Sequence, residues 1–258
     1  MMRVIALLVT LAAFLAGCGQ PQAVREEKAV SAIIKLGGTV TRDEKLPGRP
    51  VVGVKLGNYR VTDPDLKILK EFEGLQTLDL ANSRITDVGL KELKGLKGLK
   101  WLGLNGTRIT DAGLKELKEL KGLEMLRLDH TQITDAGLKD LKELKDLQEL
   151  YLEGNQITGA GLKELKELKG LQTLWLDRAQ ITDAGLADLK ELKGLQWLNL
   201  SHTQITDTGL KELKELKGLK TLLLDGTRIT DAGLKDLKQA LPEASIYGPL
   251  NTQHGPDR

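Results

Sequence analysis

The sequence predicts an α/β solenoid, in which short strands form a parallel sheet on one face and short helices cover the other. Two observations carry this prediction: a period of 24 residues, and one strand-like and one helix-like apolar pattern in each period. The unit that begins at Gly98 recurs almost verbatim, with copies starting at Gly74, Gly122, Asp146, Gly170, Gly194 and Gly218, and a looser copy at Pro50 makes eight. Because one unit buries its apolar face only against its neighbours, we expect a single elongated domain.

The first half of each unit reads as a strand. Leu102 and Leu104 alternate around Gly103, which is the spacing of side chains on one face of a pleated strand. A strand of this kind in every unit places successive copies side by side in one sheet.

The second half of each unit reads as a short helix. Leu114, Leu117 and Leu120 share one face. Thr110 stands at the N-cap position, and Asp111 adds negative charge to the first turn, where the helix dipole favours it. We expect a glycine after the last turn, such as Gly122, to end the helix in the left-handed conformation.

A second glycine recurs near each helix start. Its positions are Gly89, Gly113, Gly137, Gly161, Gly185, Gly209 and Gly233. Glycine at such a position lowers the stability of the helix by about 1 kcal/mol relative to alanine. The repetition therefore indicates a geometric need, either close packing between successive units or an unusual backbone angle.

The strand segment resembles the leucine-rich-repeat family, whose signature is Leu-x-x-Leu-x-Leu-x-x-Asn/Cys-x-Leu. The run from Leu75 to Ile85, Leu-Gln-Thr-Leu-Asp-Leu-Ala-Asn-Ser-Arg-Ile, carries the match. The following Ile-Thr-Asp-x-Gly-Leu is similar to the cysteine-containing subtype, although Ser83, Thr107 and their equivalents replace its cysteine. The resemblance implies a curved solenoid with the sheet on the concave face and helices on the convex face. The cysteine-containing subtype is known from F-box proteins, but their ubiquitin-ligase role does not follow from the resemblance.

The N-terminus reads as a targeting segment, residues 1–17. Arg3 precedes an apolar stretch from Val4 to Leu15 that is too short to span a bilayer. The Leu-Ala-Gly-Cys that ends at Cys18 resembles the lipobox of bacterial lipoproteins, which implies lipidation of Cys18. An ordinary signal peptide with an incidental cysteine is the alternative. Gly19 stands where an Asp commonly signals inner-membrane retention, so the resemblance favours the outer membrane.

The remaining segments read as a tether and two ends. Residues 18–22 form the lipidated cysteine and tether, and residues 23–49 an N-terminal cap. The repeats fill 50–241, a cap strand 242–247, and a disordered tail 248–258. Within the first cap we expect Val30, Ile33 and Ile34 to share the buried face of a helix that ends at Gly37.

Charge and motif content exclude several functions. Lys plus Arg (38) nearly balances Asp plus Glu (36), so no basic face for nucleic acid is indicated. Cys18 is the sole cysteine, and neither a phosphate-binding loop nor a Ser-His-Asp arrangement is recognisable. His130 and His202 lie three units apart, about 15 Å by strand spacing, too far to share a metal ion. We predict no enzyme, no cofactor and no metal site.

The outward side chains of the strands fall into three columns. If the leucines point inward, the first column holds Trp101, Met125, Thr173 and Trp197, and the second holds Arg127, Tyr151, Trp175 and Asn199. Aromatic residues make up 3% of the chain, yet all three tryptophans fall in these columns. Exposed aromatic clusters with polar rims mark binding surfaces. The alternatives are a register shifted by one residue, or aromatics that pack on one another.

The third column is acidic. Asp129, Glu153 and Asp177 follow consecutive strands at about 5 Å spacing. Their repulsion is offset by Arg127 or Arg178, by a cation such as calcium, by a cationic ligand, or by solvation alone.

These features favour a membrane-anchored protein, expected to be monomeric, that binds a protein or peptide on its concave face. The candidate contact residues are Trp101, Met125, Arg127, Asp129, Tyr151, Glu153, Trp175, Asp177, Trp197 and Asn199. The alternative is a structural envelope protein that self-associates or contacts cell-wall glycan through its Lys/Glu-rich convex face.

Overall fold

The alternating leucines build one sheet that runs the length of the molecule. The computed structural model describes residues 20–249. Its strands, in chain order, are β1 (Thr39–Arg42), β2 (Val51–Lys55), β3 (Thr77–Asp79), β4 (Trp101–Gly103), β5 (Met125–Arg127), β6 (Glu149–Tyr151), β7 (Thr173–Trp175), β8 (Trp197–Asn199), β9 (Thr221–Leu223) and β10 (Ser245–Tyr247). They lie side by side in the order of the sequence.

The pairing register follows the 24-residue period. Leu102 pairs with Leu78 on one side and Leu126 on the other, and all three are fully buried. Every pair from β2 to β10 is parallel, as predicted, and β1 pairs antiparallel to β2. The solenoid with a parallel sheet is therefore confirmed, with one reversed strand at its N-terminal end.

The helices occupy the opposite face and are shorter than an ordinary amphipathic helix. The α-helices are α1 (Gln22–Lys35), α2 (Asp87–Leu90), α3 (Asp111–Leu114), α4 (Asp135–Leu138), α5 (Gly159–Leu162), α6 (Asp207–Leu213) and α7 (Asp231–Ala240). The 3₁₀ helices are Asp63–Glu71, Lys91–Leu93, Lys115–Glu119, Lys139–Glu143, Lys163–Glu167 and Asp183–Glu191. A 3₁₀ helix rises about 2.0 Å per residue against about 1.5 Å for an α-helix, so fewer residues cover the return path of a unit while leucines such as Leu117 are still buried.

The predicted start of the helix is confirmed, and its predicted end is wrong. The Thr110 hydroxyl accepts a hydrogen bond from the backbone N–H of Ala112, which is the N-cap geometry. Gly122 is not among the residues with positive φ. The 3₁₀ turn ends instead at Leu120, with φ −85° and ψ 53°, so no left-handed glycine is needed.

The recurring glycine is explained by close packing. A Cβ on Gly113 would meet Asp87 Oδ1 of the preceding unit and would lie 3.0 Å from Leu90 Cδ1. Gly113 has no positive φ, so of the two explanations offered by the sequence, packing between units is the correct one.

That packing places an aspartate of one unit against the next unit at six joints of the solenoid. Asp111 Oδ1 accepts from the Thr134 backbone N–H at 2.8 Å, and its Oδ2 accepts from the Thr134 hydroxyl at 2.6 Å. We call this pair of bonds the Asp–Thr rung. It recurs as Asp63–Thr86, Asp87–Thr110, Asp135–Thr158, Asp183–Thr206 and Asp207–Thr230. The aspartate that the sequence assigns to the helix dipole also links neighbouring units.

The N-terminal end is covered by α1. It buries Ala29, Val30 and Ile33 and is followed by Gly37 with φ +81°. Ile34, expected on the same face, is 60% exposed because it lies about 100° around the helix from Ile33. Residues 1–19, with the signal and Cys18, and residues 250–258, with most of the expected tail, lie outside the described part. Between residues 20 and 249, no helix combines the length and apolar character needed to cross a bilayer.

Candidate binding face

The register exposes the first and second columns over the middle of the sheet. Trp101 pairs with Met125, and both are half-buried, while Trp197 is 39% exposed. Arg127, Tyr151 and Trp175 are consecutive register partners in the second column. The sheet therefore brings together the aromatic residues, Met125 and Arg127 along β4–β8. These six residues, Trp101, Met125, Arg127, Tyr151, Trp175 and Trp197, are called the aromatic patch below.

Tyr151 is the best-connected member of the aromatic patch. Its ring lies 5.6 Å from that of Trp175 at 40°, and the guanidinium of Arg127 lies 5.1 Å from its centroid on the other side. Its hydroxyl donates to Glu149 Oε2 at 2.7 Å. Burial, reinforced by this hydrogen bond to a carboxylate, raises the pKa of Tyr151 to about 12. The phenol is therefore protonated at neutral pH and is held in one orientation.

The outer tryptophans differ in what covers them. Lys220 places its Nζ 5.3 Å from the centroid of Trp197. The ring of Trp101 lies along its own strand and covers Gly103, where an added Cβ would be 2.6 Å from Trp101 Cη2. The absence of a side chain at Gly103 leaves the space for this ring. Gly103 is buried by that ring, although the sequence places it in an outward column.

The expectation that the side chains of Asp129, Asp177 and Asn199 are exposed on the outward face is wrong. They are 4%, 8% and 6% exposed. Each side chain turns back to hydrogen-bond where the strand ends. Asp129 Oδ1 accepts from the Glu153 backbone N–H at 3.2 Å, and Asn199 Oδ1 accepts from the Ser201 N–H at 2.9 Å.

The acidic column contacts neighbouring arginine and histidine side chains. Asp129 Oδ2 accepts from Arg127 Nε at 3.0 Å. Asp177 Oδ1 lies 2.8 Å from His202 Nδ1, with Arg178 Nε 3.8 Å from its other oxygen. Glu153 remains half-buried, and the nearest basic side chains to its Oε1 are His130, with Nε2 at 3.5 Å, and Arg178, with Nη1 at 3.9 Å. Arg127 and Arg178 were foreseen from the sequence, and the two histidines were not.

A row of left-handed residues explains how these histidines reach the acidic column. The residue after the third column has positive φ in seven successive units: Asn82, Gly106, His130, Gly154, Arg178, His202 and Gly226. Non-glycine residues pay about 1 kcal/mol or more for this conformation. The ring of His130 lies over Gly154 and that of His202 over Gly226. The recurrence of glycine at three of these seven positions, Gly106, Gly154 and Gly226, with Asn82 at a fourth, was the sequence signal that could have revealed the row.

The convex face carries ion pairs between units. Lys94 lies 2.7 Å from Glu116, and Lys214 lies 2.6 Å from Asp236, with longer pairs at Lys145–Glu167, Lys169–Glu191 and Lys193–Glu215. These pairs are mostly exposed, so each contributes about 0–1 kcal/mol. Much of the charge on this face is thus matched within the molecule.

No group of three or more His, Cys, Asp or Glu side chains within residues 20–249 is arranged to hold a metal ion. The concave face therefore offers rings, two arginines and partly exposed glutamates as its chemistry. Such a surface suits non-covalent recognition.

Comparison with known proteins agrees with this architecture. A search of curated proteins gave no match. Among solved structures, internalin C2 from Listeria monocytogenes is similar, with 27% sequence identity and a TM-score of 0.60; the match covers 84% of this chain and 92% of that one. The family model of the leucine-rich repeat region matches residues 59–244. The chain therefore belongs to the leucine-rich-repeat family.

Proposed function

We propose that this protein binds a protein or peptide partner on the concave face of its sheet, and that a lipid on Cys18 holds it at a bacterial envelope membrane. The aromatic patch carries the first half of the proposal. Tryptophan, tyrosine and arginine dominate binding hot spots, and they are gathered here on adjacent strands of a chain that is only 3% aromatic.

The geometry of the aromatic patch supports recognition more than internal packing. The core beneath the sheet is filled by fully buried leucines such as Leu126, Leu150 and Leu174. The rings lie on the other side of the strands and keep part of their surface in water. Side chains that are half-buried and held by neighbours lose little entropy when a partner covers them.

The likeness to internalin C2 is consistent with this use of the sheet. Solenoids present an extended concave surface built from equivalent positions of successive units, which is the surface they commonly use for binding. Here those positions vary between units while the helical segments are nearly identical.

The test is a crosslinking pull-down from envelope extracts with the lipid-free chain. We expect the double variant Trp175→Ala/Trp197→Ala to fold normally and to lose a partner that the wild-type chain captures. The matched control is Thr77→Ala/Thr221→Ala, which truncates the first column at β3 and β9, outside the aromatic patch. Recovery of the same partner by both double variants would rule out the aromatic patch as the contact surface.

Anchoring is tested separately on the full chain. The lipobox that ends at Cys18 supports acylation, and each methylene buried in the bilayer contributes about 0.8 kcal/mol. We expect Cys18→Ser to move the protein from the membrane pellet to the soluble fraction; an unchanged pellet would contradict lipid anchoring. Gly19 after the cysteine favours the outer membrane, which fractionation of the two membranes would check.

A further inference from the structure

The concave face of β5–β8 has an excess of negative charge. In the three outward columns of these strands and the left-handed row beside them, four carboxylates face two arginines and two histidines, and with histidine counted as neutral the formal charge is negative. The carboxylates are those of Asp129, Glu149, Glu153 and Asp177, and the basic residues are Arg127, His130, Arg178 and His202. A partner that brings a positive charge is favoured over one that brings another carboxylate.

The carboxylates are not equally available. Asp129 and Asp177 are buried and already accept hydrogen bonds. Glu149 accepts from the Tyr151 hydroxyl. Within the described residues the Glu153 carboxylate accepts no hydrogen bond, and its ion pairs with His130 and Arg178 are 3.5 and 3.9 Å long. Of these four, Glu153 is therefore the carboxylate that accepts no hydrogen bond within the described residues and keeps all its acceptor positions open.

The aromatic rings also differ in whether a cation of the chain already lies over them. Arg127 lies over Tyr151, and Lys220 lies over Trp197. In the part of the chain that the structure describes, no cation lies over Trp175, which is half-buried and contacts Tyr151. Two rings of the aromatic patch thus already contact a cation of the chain, and Trp175 does not.

We propose that Trp175 and Glu153 together bind the side-chain cation of a lysine or arginine on the partner. This rests on the proposed function and deepens it, since it names the chemistry of the group that the concave face reads. Tyr151 and Trp175 are register partners, and Glu153 lies two residues beyond Tyr151. Strand spacing and rise place the α-carbons of Trp175 and Glu153 roughly 8 Å apart, a span that a long basic side chain covers.

Two attractions act on the same cation in this arrangement. The ring face attracts it through the aromatic quadrupole, with a strength that increases as water is excluded. Glu153 accepts charge-assisted hydrogen bonds, which are stronger than neutral ones. The long contact from Arg178 leaves room for the partner's group to replace it at Glu153.

The experiment compares two blocked pentapeptides, acetyl-Phe-Gly-Arg-Gly-Phe-amide and the same peptide with citrulline in place of arginine. Citrulline keeps the shape and removes the charge. Binding is followed by NMR shifts of the tryptophan indole N–H groups. We expect the arginine peptide to bind at least about tenfold more tightly, since cation–π and ion-pair contributions together reach that size.

Variants assign the difference to the two residues. Trp175→Leu and Glu153→Gln should each reduce the arginine-to-citrulline ratio at least threefold, while Thr221→Ala should leave it unchanged. Leucine is a suitable replacement because Leu223 occupies the equivalent column in β9. Circular dichroism of each variant checks that the solenoid is intact.

The outcomes separate this inference from the proposed function. Equal binding of the two peptides, with both lost in Trp175→Ala/Trp197→Ala, would overturn the cation site and leave the binding face standing. A ratio that both single variants preserve, or no binding of either peptide at millimolar concentration, would also overturn it. The pull-down then decides separately whether the concave face binds a partner.

Discussion

Two kinds of joint connect neighbouring units of this solenoid. Six joints carry the Asp–Thr rung, of which Asp135–Thr158 between the units of β5 and β6 is an example. The next joint, between the units of β6 and β7, has Gly159 where the aspartate stands elsewhere. We call it the Gly159 joint. Within residues 20–249, Thr182 makes none of the hydrogen bonds that its equivalents make to the preceding unit.

The Gly159 joint closes by backbone contact instead. A Cβ on Gly159 would lie 2.7 Å from Gly185 Cα. At the other joints, a Cβ on the glycine equivalent to Gly185 would instead meet the aspartate side chain of the preceding unit. The helix that follows Thr182, Asp183–Glu191, is 3₁₀ throughout. Removal of one carboxylate thus lets two main chains approach.

The two faces of the Gly159 joint are held by different contacts. On the helical face it has lost its polar link. On the concave face the same joint is spanned by the tilted rings of Tyr151 and Trp175, which are in contact, and by the long ion pair of Glu153 with Arg178. Similar contacts also cross joints that keep the rung, such as Arg127 over Tyr151 and Lys220 over Trp197. Among the joints from β2 to β9, the Gly159 joint is therefore distinguished by its helical face, where the rung is missing, and not by its concave face.

The largest effect is expected from breaking an intact joint. Asp111→Ala leaves the backbone N–H and hydroxyl of Thr134 without their acceptor and should lower the free energy of unfolding by about 2 kcal/mol. Asp111→Asn keeps one acceptor oxygen and should lose less. Urea denaturation measures both, and equal stability of Asp111→Ala and wild type would show that the rung contributes nothing.

A smaller effect is expected from rebuilding the Gly159 joint. Gly159→Ala and Gly159→Asp both bring a Cβ against the Gly185 backbone, but only the aspartate offers a carboxylate to Thr182. We expect Gly159→Asp to be the more stable of the two by about 1 kcal/mol, because the steric term is shared and the hydrogen bonds are not. Urea denaturation of the pair tests this, and a Gly159→Asp protein no more stable than Gly159→Ala would mean that the joint cannot widen to form a rung.

The identity of the outward columns was predictable because strand alternation fixes it. Once Leu102 and Leu104 point inward, Trp101 must point outward, and the 24-residue period repeats that assignment in every unit. The structure accordingly places the aromatic residues on the concave face. Partner binding at that face stays a prediction.

The fate of the third column was not predictable from alternation. Asp129 and Asp177 occur where the strand ends and the next residue is left-handed, so the side chain follows the turn and is covered. The prediction that Gly122 ends the helix was wrong for a related reason. The helix ends in a 3₁₀ turn at Leu120, which the repeat period does not reveal.

The sequence by itself determined the repeat length, the solenoid, the buried leucines and the threonine caps, because each depends on spacing along the chain. Only the tertiary structure decided that Asp111 accepts hydrogen bonds from the following unit, that His202 lies within hydrogen-bond distance of Asp177, and that Glu153 keeps open acceptor positions. Those facts depend on distances between atoms 23 or more residues apart, which are set by how units stack. The sequence of a single unit does not show which hydrogen-bonding positions of a neighbouring unit it will reach or leave open.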